Sequence, residues 1–143
     1  LIERTKNGRG VEKEKAVRAL RHCARNDDVK HVIGQTGGIP PLVEILRNGT
    51  SPQKIAAAST LARLAIGNEN NRILIAGSGG IEELVELTRG GTCKEKETGA
   101  CALAQLAVHK ENKSIVAKTG GIQPLPSPTP CHYVGPAFAY AIL

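Results

Sequence analysis

The chain repeats itself. Gly37-Gly38-Ile39, Gly79-Gly80-Ile81 and Gly120-Gly121-Ile122 recur at spacings of 42 and 41 residues, with Leu42, Leu84 and Leu125 in the same register behind them. Leu20, Leu61 and Leu103 are also 41 and 42 apart, as are Ala24, Ala65 and Ala107, and Thr50 matches Thr92. A period of about 40–47 residues with helical patterning marks an all-α chain, an α-solenoid of stacked helix pairs or triplets. Each unit of such a stack buries its apolar face only against its neighbours.

Within one period the residues read as three helices. Ile39 to about Asn48 places Leu42, Val43, Ile45 and Leu46 on one side and stops at Asn48-Gly49, an amphipathic helix with a glycine stop. A longer helix starts at Thr50 or Ser51 and runs to about Gly67. The capping-box pattern S/T-x-x-E/Q returns one period later as Thr92-Cys93-Lys94-Glu95. Its buried set is Ala58, Leu61, Leu64 and Ala65, matched by Val17, Leu20, Cys23 and Ala24 and by Ala100, Leu103, Leu106 and Ala107. The small alanines allow close helix approach. A short third helix is expected around Arg72–Ile75 and Ser114–Ala117, closing on the paired glycines that turn the chain into the next unit.

The segments GGIPPLVEILRNGTSPQKIAAASTLARLAIGNENNRILIAGS and GGIEELVELTRGGTCKEKETGACALAQLAVHKENKSIVAKT resemble the armadillo repeat, closest in pattern to vacuolar and plant-type multi-repeat armadillo proteins. The resemblance covers residues 11–125. It implies a partial array of three-helix repeats in a right-handed superhelix: the back part of one repeat at 11–36, whole repeats at 37–78 and 79–119, and the start of another at 120–125. Residues 1–10 read as a flexible basic leader. Residues 126–143 read as a Pro-rich, apolar tail. Pro126, Pro128 and Pro130 stand where a helix should continue, and proline inside a helix costs about 3 kcal/mol. No Lys, Arg, Asp or Glu occurs from Thr119 onward, so the tail looks foreign to the repeat. The alternative is a divergent cap over the open end.

Composition excludes several function classes. Of 143 residues only 2% are aromatic, and residues 1–132 contain no Phe, Tyr or Trp, so base-stacking nucleic-acid platforms are ruled out. The four cysteines (Cys23, Cys93, Cys101, Cys131) form no CxxC pair and no zinc-type spacing with His22, His31, His109 or His132. They are expected to be reduced thiols of a cytoplasmic or nuclear protein, and no cofactor or metal is expected. The apolar runs are shorter than the roughly 20 residues of a membrane span. The chain has no Met and begins at Leu1, and it reads as a partial chain. Gly77-Ser78-Gly79-Gly80 follows a helix and lacks the G-x-x-x-x-G-K-[ST] of a phosphate loop. Asn48-Gly49-Thr50 and Asn112-Lys113-Ser114 match the glycosylation pattern without meaning in that compartment. Glu82, Glu83 and Glu86 form a solvated helix start. No nucleophile has an identifiable base, so the chain is expected not to be an enzyme.

The binding surface follows from helix angles. Positions two before and two after each core leucine point away from the core. These are Arg18 and His22, Ser59 and Arg63, and Cys101 and Gln105; Lys15, Ala56 and Thr98, five before, extend the stripe. The armadillo resemblance implies that this stripe lines the concave groove, where peptide-gripping relatives often carry Trp and Asn. Here the two columns read Arg18, Ser59, Cys101 and His22, Arg63, Gln105, which disfavours basic import signals. Net charge is +4 over 1–36, +2 over 37–78 and zero over 79–119. The expected function is a protein-interaction scaffold holding an extended, acidic partner along Lys15, Arg18, His22, Ser59, Arg63, Cys101 and Gln105. Alternatives are the substrate-binding part of a U-box ubiquitin ligase and a nuclear-import cargo adaptor. Anionic membrane or nucleic-acid contact through Lys6, Arg9, Lys13, Lys15, Arg18, Arg21 and Arg25 is the rival. Self-association through the uncapped ends is also expected.

Overall fold

A computed structural model describes residues 1–120 of the chain. Among them are nine helices and no strand: α1 (Ile2–Asn7), α2 (Val11–Cys23), α3 (Asp27–Gln35), α4 (Ile39–Asn48), α5 (Ser51–Ala65), α6 (Glu69–Gly77), α7 (Gly80–Gly90), α8 (Cys93–Leu106) and α9 (Lys110–Lys118). They stack in three rows. The row α1–α4–α7 packs on the row α2–α5–α8, and the shorter helices α3–α6–α9 form the third. No helix among the described residues is long and apolar enough to cross a membrane.

Aliphatic side chains and alanines form the core. Leu20, Leu61, Leu64, Leu103 and Leu106 are buried together with Ala24, Ala58, Ala65 and Ala107. Removing such a leucine from water contributes about 1.5–3 kcal/mol. Cys23 departs from the expectation, being an exposed free thiol, as is Cys101. In the next unit α3 lies over the end of α5, with Lys30 Nζ donating to Ile66 O at 3.0 Å. Cys93 is disulfide-bonded, which corrects the expectation of four reduced thiols.

The paired glycines divide their work. The first of each pair, Gly37 and Gly79, has φ of 78° and 80°, a left-handed conformation that side chains resist. The second, Gly38 and Gly80, lies so close to Ile33 and Ile75 that a β-carbon would press on the carbonyl and side chain of each isoleucine. One glycine reverses the chain and the other lets the next helix approach.

Residues 1–10 are not a flexible leader, because α1 occupies Ile2–Asn7 and buries Thr5. Ile2-Glu3-Arg4-Thr5-Lys6-Asn7-Gly8 is the in-register counterpart of Val43-Glu44-Ile45-Leu46-Arg47-Asn48-Gly49 and of Val85-Glu86-Leu87-Thr88-Arg89-Gly90-Gly91. Arg4 and Thr5 stand in place of Ile45 and Leu46, which hides the helix from a search for apolar periodicity. The third helices are also longer than expected, α6 covering Glu69–Gly77 and α9 Lys110–Lys118. Asn26 and Asn68 cap α3 and α6: Asn26 Oδ1 accepts from the amides of Asp28 and Val29, and Asn68 Oδ1 accepts from that of Asn71.

Both capping boxes are present, at Thr50/Gln53 and Thr92/Glu95. They also join neighbouring units, since Gln53 Nε2 donates to Gly10 O at 3.0 Å. Burial works to raise the pKa of Glu95, but the Thr92 amide and hydroxyl, the Ser51 hydroxyl and Lys54 outweigh it and hold the carboxyl below its ordinary 4.5. The stabilisation from this ionised carboxyl is therefore present above the ordinary value and lost as pH falls through the lowered one. Glu95→Gln is expected to lower Tm by a few degrees at neutral pH. The gap from wild type should close on acidification below pH 4.5, as read by thermal melts at a series of pH values. A gap that is constant with pH would remove the charge from this account.

Candidate functional site

The outward face of the row α2–α5–α8 is built by four-residue steps along each helix. Glu14, Arg18 and His22 line up on α2, Ile55, Ser59 and Arg63 on α5, and Glu97, Cys101 and Gln105 on α8. All nine are exposed or half-buried, whereas the residues between them are largely buried. Arg18, His22, Ser59, Arg63, Cys101 and Gln105 therefore share one face.

Lys15 is not brought onto that face. Its counterparts Ala56 and Thr98 are buried, for a geometric reason. Three residues back from Arg18 rotates about 60° toward the neighbouring unit, whereas four back rotates about 40° the other way. On α5 the flank bearing Gln53, Ala56 and Thr60 packs on α2, with Thr60 Oγ1 donating to Val17 O at 3.3 Å. The same flank of α2 faces Leu1 and Arg4 among the described residues. It forms an open cleft of about 490 Å³ lined by Glu12, Lys15, Ala16, Ala19, Leu1 and Arg4. Glu14, Ile55 and Glu97 take the place that Lys15, Ala56 and Thr98 were expected to fill.

A fourth column lies past the helix ends, where Arg25, Ile66 and Val108 follow His22, Arg63 and Gln105 by three residues. All three are exposed. The signal for both missed columns was the same 41- and 42-residue register that located the leucines.

Charge on this face is only partly balanced. Arg18 Nη2 is 2.9 Å from Glu14 Oε1, and Lys94 Nζ reaches Glu97 Oε2 at 3.2 Å. Exposed pairs of this kind contribute about 0–1 kcal/mol. Arg63 and His22 have no ion-pair partner among the described residues. The α4–α7 side differs, since Arg47 Nε donates to Glu83 Oε1 at 2.8 Å, and that bond raises the arginine pKa. Among the described residues no three His, Cys, Asp or Glu side chains gather as a metal site.

No protein-family model matches the sequence, and no curated protein matches it with significance. Solved structures do. An engineered protein superposes with TM-score 0.88 at 23% identity, covering 99% of this chain and 60% of that one. A designed armadillo repeat protein gives TM-score 0.84 at 19% identity over 99% of this chain and 63% of its own. The fold is an armadillo-type solenoid. It is a right-handed superhelix of three-helix repeats. A further designed armadillo repeat protein, solved in complex with the peptide (KR)4, gives TM-score 0.78 at 20% identity over 85% of this chain and 52% of its own. The chain thus spans 52% to 63% of the lengths of these three relatives.

Proposed function

We propose that the chain is a non-enzymatic protein-binding module that holds an extended acidic segment along the α2–α5–α8 face of its armadillo solenoid. Arg18, His22, Ser59, Arg63, Cys101 and Gln105 are the contact residues, and Lys15 is left outside them. The observation that carries this reading is Arg63, a half-buried arginine on the middle helix with no ion-pair partner among the described residues. Such a group gains from a bidentate carboxylate or phosphate delivered from outside. One structural relative was solved with the basic peptide (KR)4; this face carries cations at its α2 end, so its complement has the opposite sign.

The test is fluorescence anisotropy of the full chain with a Glu-rich decapeptide and with a Lys/Arg-rich one. The acidic peptide is expected to bind and to weaken steeply with added salt. Preferential binding of the basic peptide would overturn the proposal.

A further inference from the structure

We infer that the segment held on this face is acidic over α2 and as far as Arg63 on α5, and apolar beyond, over Ile66 and α8, so that the partner is an acidic-hydrophobic segment rather than a uniformly charged one. The inference rests on the reading of the α2–α5–α8 face given above and adds the fourth column to it. In that column Arg25, Ile66 and Val108 succeed one another from unit to unit at spacings of 41 and 42 residues. The charge on Arg25 gives way to two branched aliphatic side chains, 47% and 65% exposed. Single exposed aliphatics are ordinary on protein surfaces. These two occupy the same register position on adjacent units, three residues past Arg63 and Gln105 and just beyond the ends of α5 and α8, and Ile55 adds a third, half-buried aliphatic among the residues of the face.

The backbone under Ile66 is held in place. Its amide donates to Arg63 O at 3.3 Å, and its carbonyl accepts from Lys30 Nζ at 3.0 Å. Lys30 is itself buried on α3, its ammonium shared between that carbonyl and Asp27 Oδ1 at 2.9 Å. Burying an ammonium is costly unless it is paired and hydrogen-bonded. Here the charge fixes the chain where an aliphatic side chain is turned outward. A rigidly presented apolar group loses little conformational freedom on binding, which favours its use as a contact.

Charge complementarity sets the order along the partner. Arg18 on α2 and Arg25 just past its end concentrate positive charge there, Arg63 on α5 continues it, and α8 with the residue after its end presents Glu97, Cys101, Gln105 and Val108, with no cation among them. A carboxylate placed over α8 would face Glu97, while a large apolar side chain there would cover Val108 and Ile66.

Three peptides test this with the full chain: one with an acidic half followed by a Leu/Phe half, its twin with Ser replacing the apolar half, and a second twin with Gln replacing the acids. Wild type is expected to bind the mixed peptide about tenfold more tightly than the Ser twin. The double variant Ile66→Ser/Val108→Ser should erase that difference without changing affinity for the Ser twin or the far-UV circular dichroism. Equal affinity of wild type for the mixed peptide and the Ser twin, or an equal loss on both in the double variant, overturns the inference and leaves the acidic-segment reading standing. Failure of wild type to bind either acid-bearing peptide overturns that reading, and this inference with it.

Discussion

Asn71→Ala is expected to lower the unfolding free energy by about 3 kcal/mol, within the range for losing a buried side chain together with its hydrogen bonds. Asn71 is 1% exposed, and its Nδ2 donates at 3.0 Å both to Lys30 O and to Leu64 O. One amide thus ties α6 to the helix of the preceding unit and to the end of α5. Alanine would leave those carbonyls beside a hole the size of the lost amide. Asn112 stands 41 residues later and donates once, to Arg72 O at 3.1 Å. Asn112→Ala should therefore cost about 1 kcal/mol. Gly34→Ala supplies an independent check, because the added β-carbon would fall on Asn71 Oδ1. In an open helix position glycine to alanine gains about 1 kcal/mol, so a loss at Gly34 would be diagnostic. Urea unfolding of the three variants reads all of this. An Asn71→Ala midpoint equal to wild type would show that these asparagine hydrogen bonds do not hold the units together.

The parts of this fold that a sequence displays are those governed by one helix at a time. Leu20, Leu61 and Leu103 announce themselves because a core leucine must recur on the same face of each long helix. Thr50/Gln53 and Thr92/Glu95 do so because a capping box is closed within four residues. Lys30, Asn71 and Asn112 stay hidden although they share one register. Their role depends on a carbonyl in another helix, and a polar residue within a helix ordinarily signals a solvated side. Lys15 was misplaced for the same reason: its angle on α2 is right for exposure, and only the packing of Gln53, Ala56 and Thr60 on α2 shows that this flank belongs to the contact between units. The readings of 126–143 as a foreign tail or as a cap fall outside the described residues. The uncapped-end expectation bears on the open cleft at Leu1, Arg4, Glu12 and Lys15.

Arg63→Glu is expected to weaken binding of a Glu-rich peptide about 100-fold, and Arg18→Glu about tenfold. The two arginines are unequal before any partner arrives. Arg18 is 65% exposed and already 2.9 Å from Glu14, so a ligand carboxylate must share it. Arg63 is half-buried and has no ion-pair partner among the described residues, and it stands on the middle helix, between the α2 and α8 contacts. Reversing it removes a charge-assisted hydrogen bond and places like charge against the ligand. The double variant should show no measurable binding, with far-UV circular dichroism unchanged because neither side chain is in the core. The residual binding of Arg63→Glu should also respond less to salt than that of wild type, since fewer charges are paired. If the double variant still binds the acidic peptide, the contact lies elsewhere. The cationic α1–α2 edge around Lys6, Arg9 and Lys13 is then the surface to reverse next, because it is the remaining concentration of positive charge in the first 36 residues.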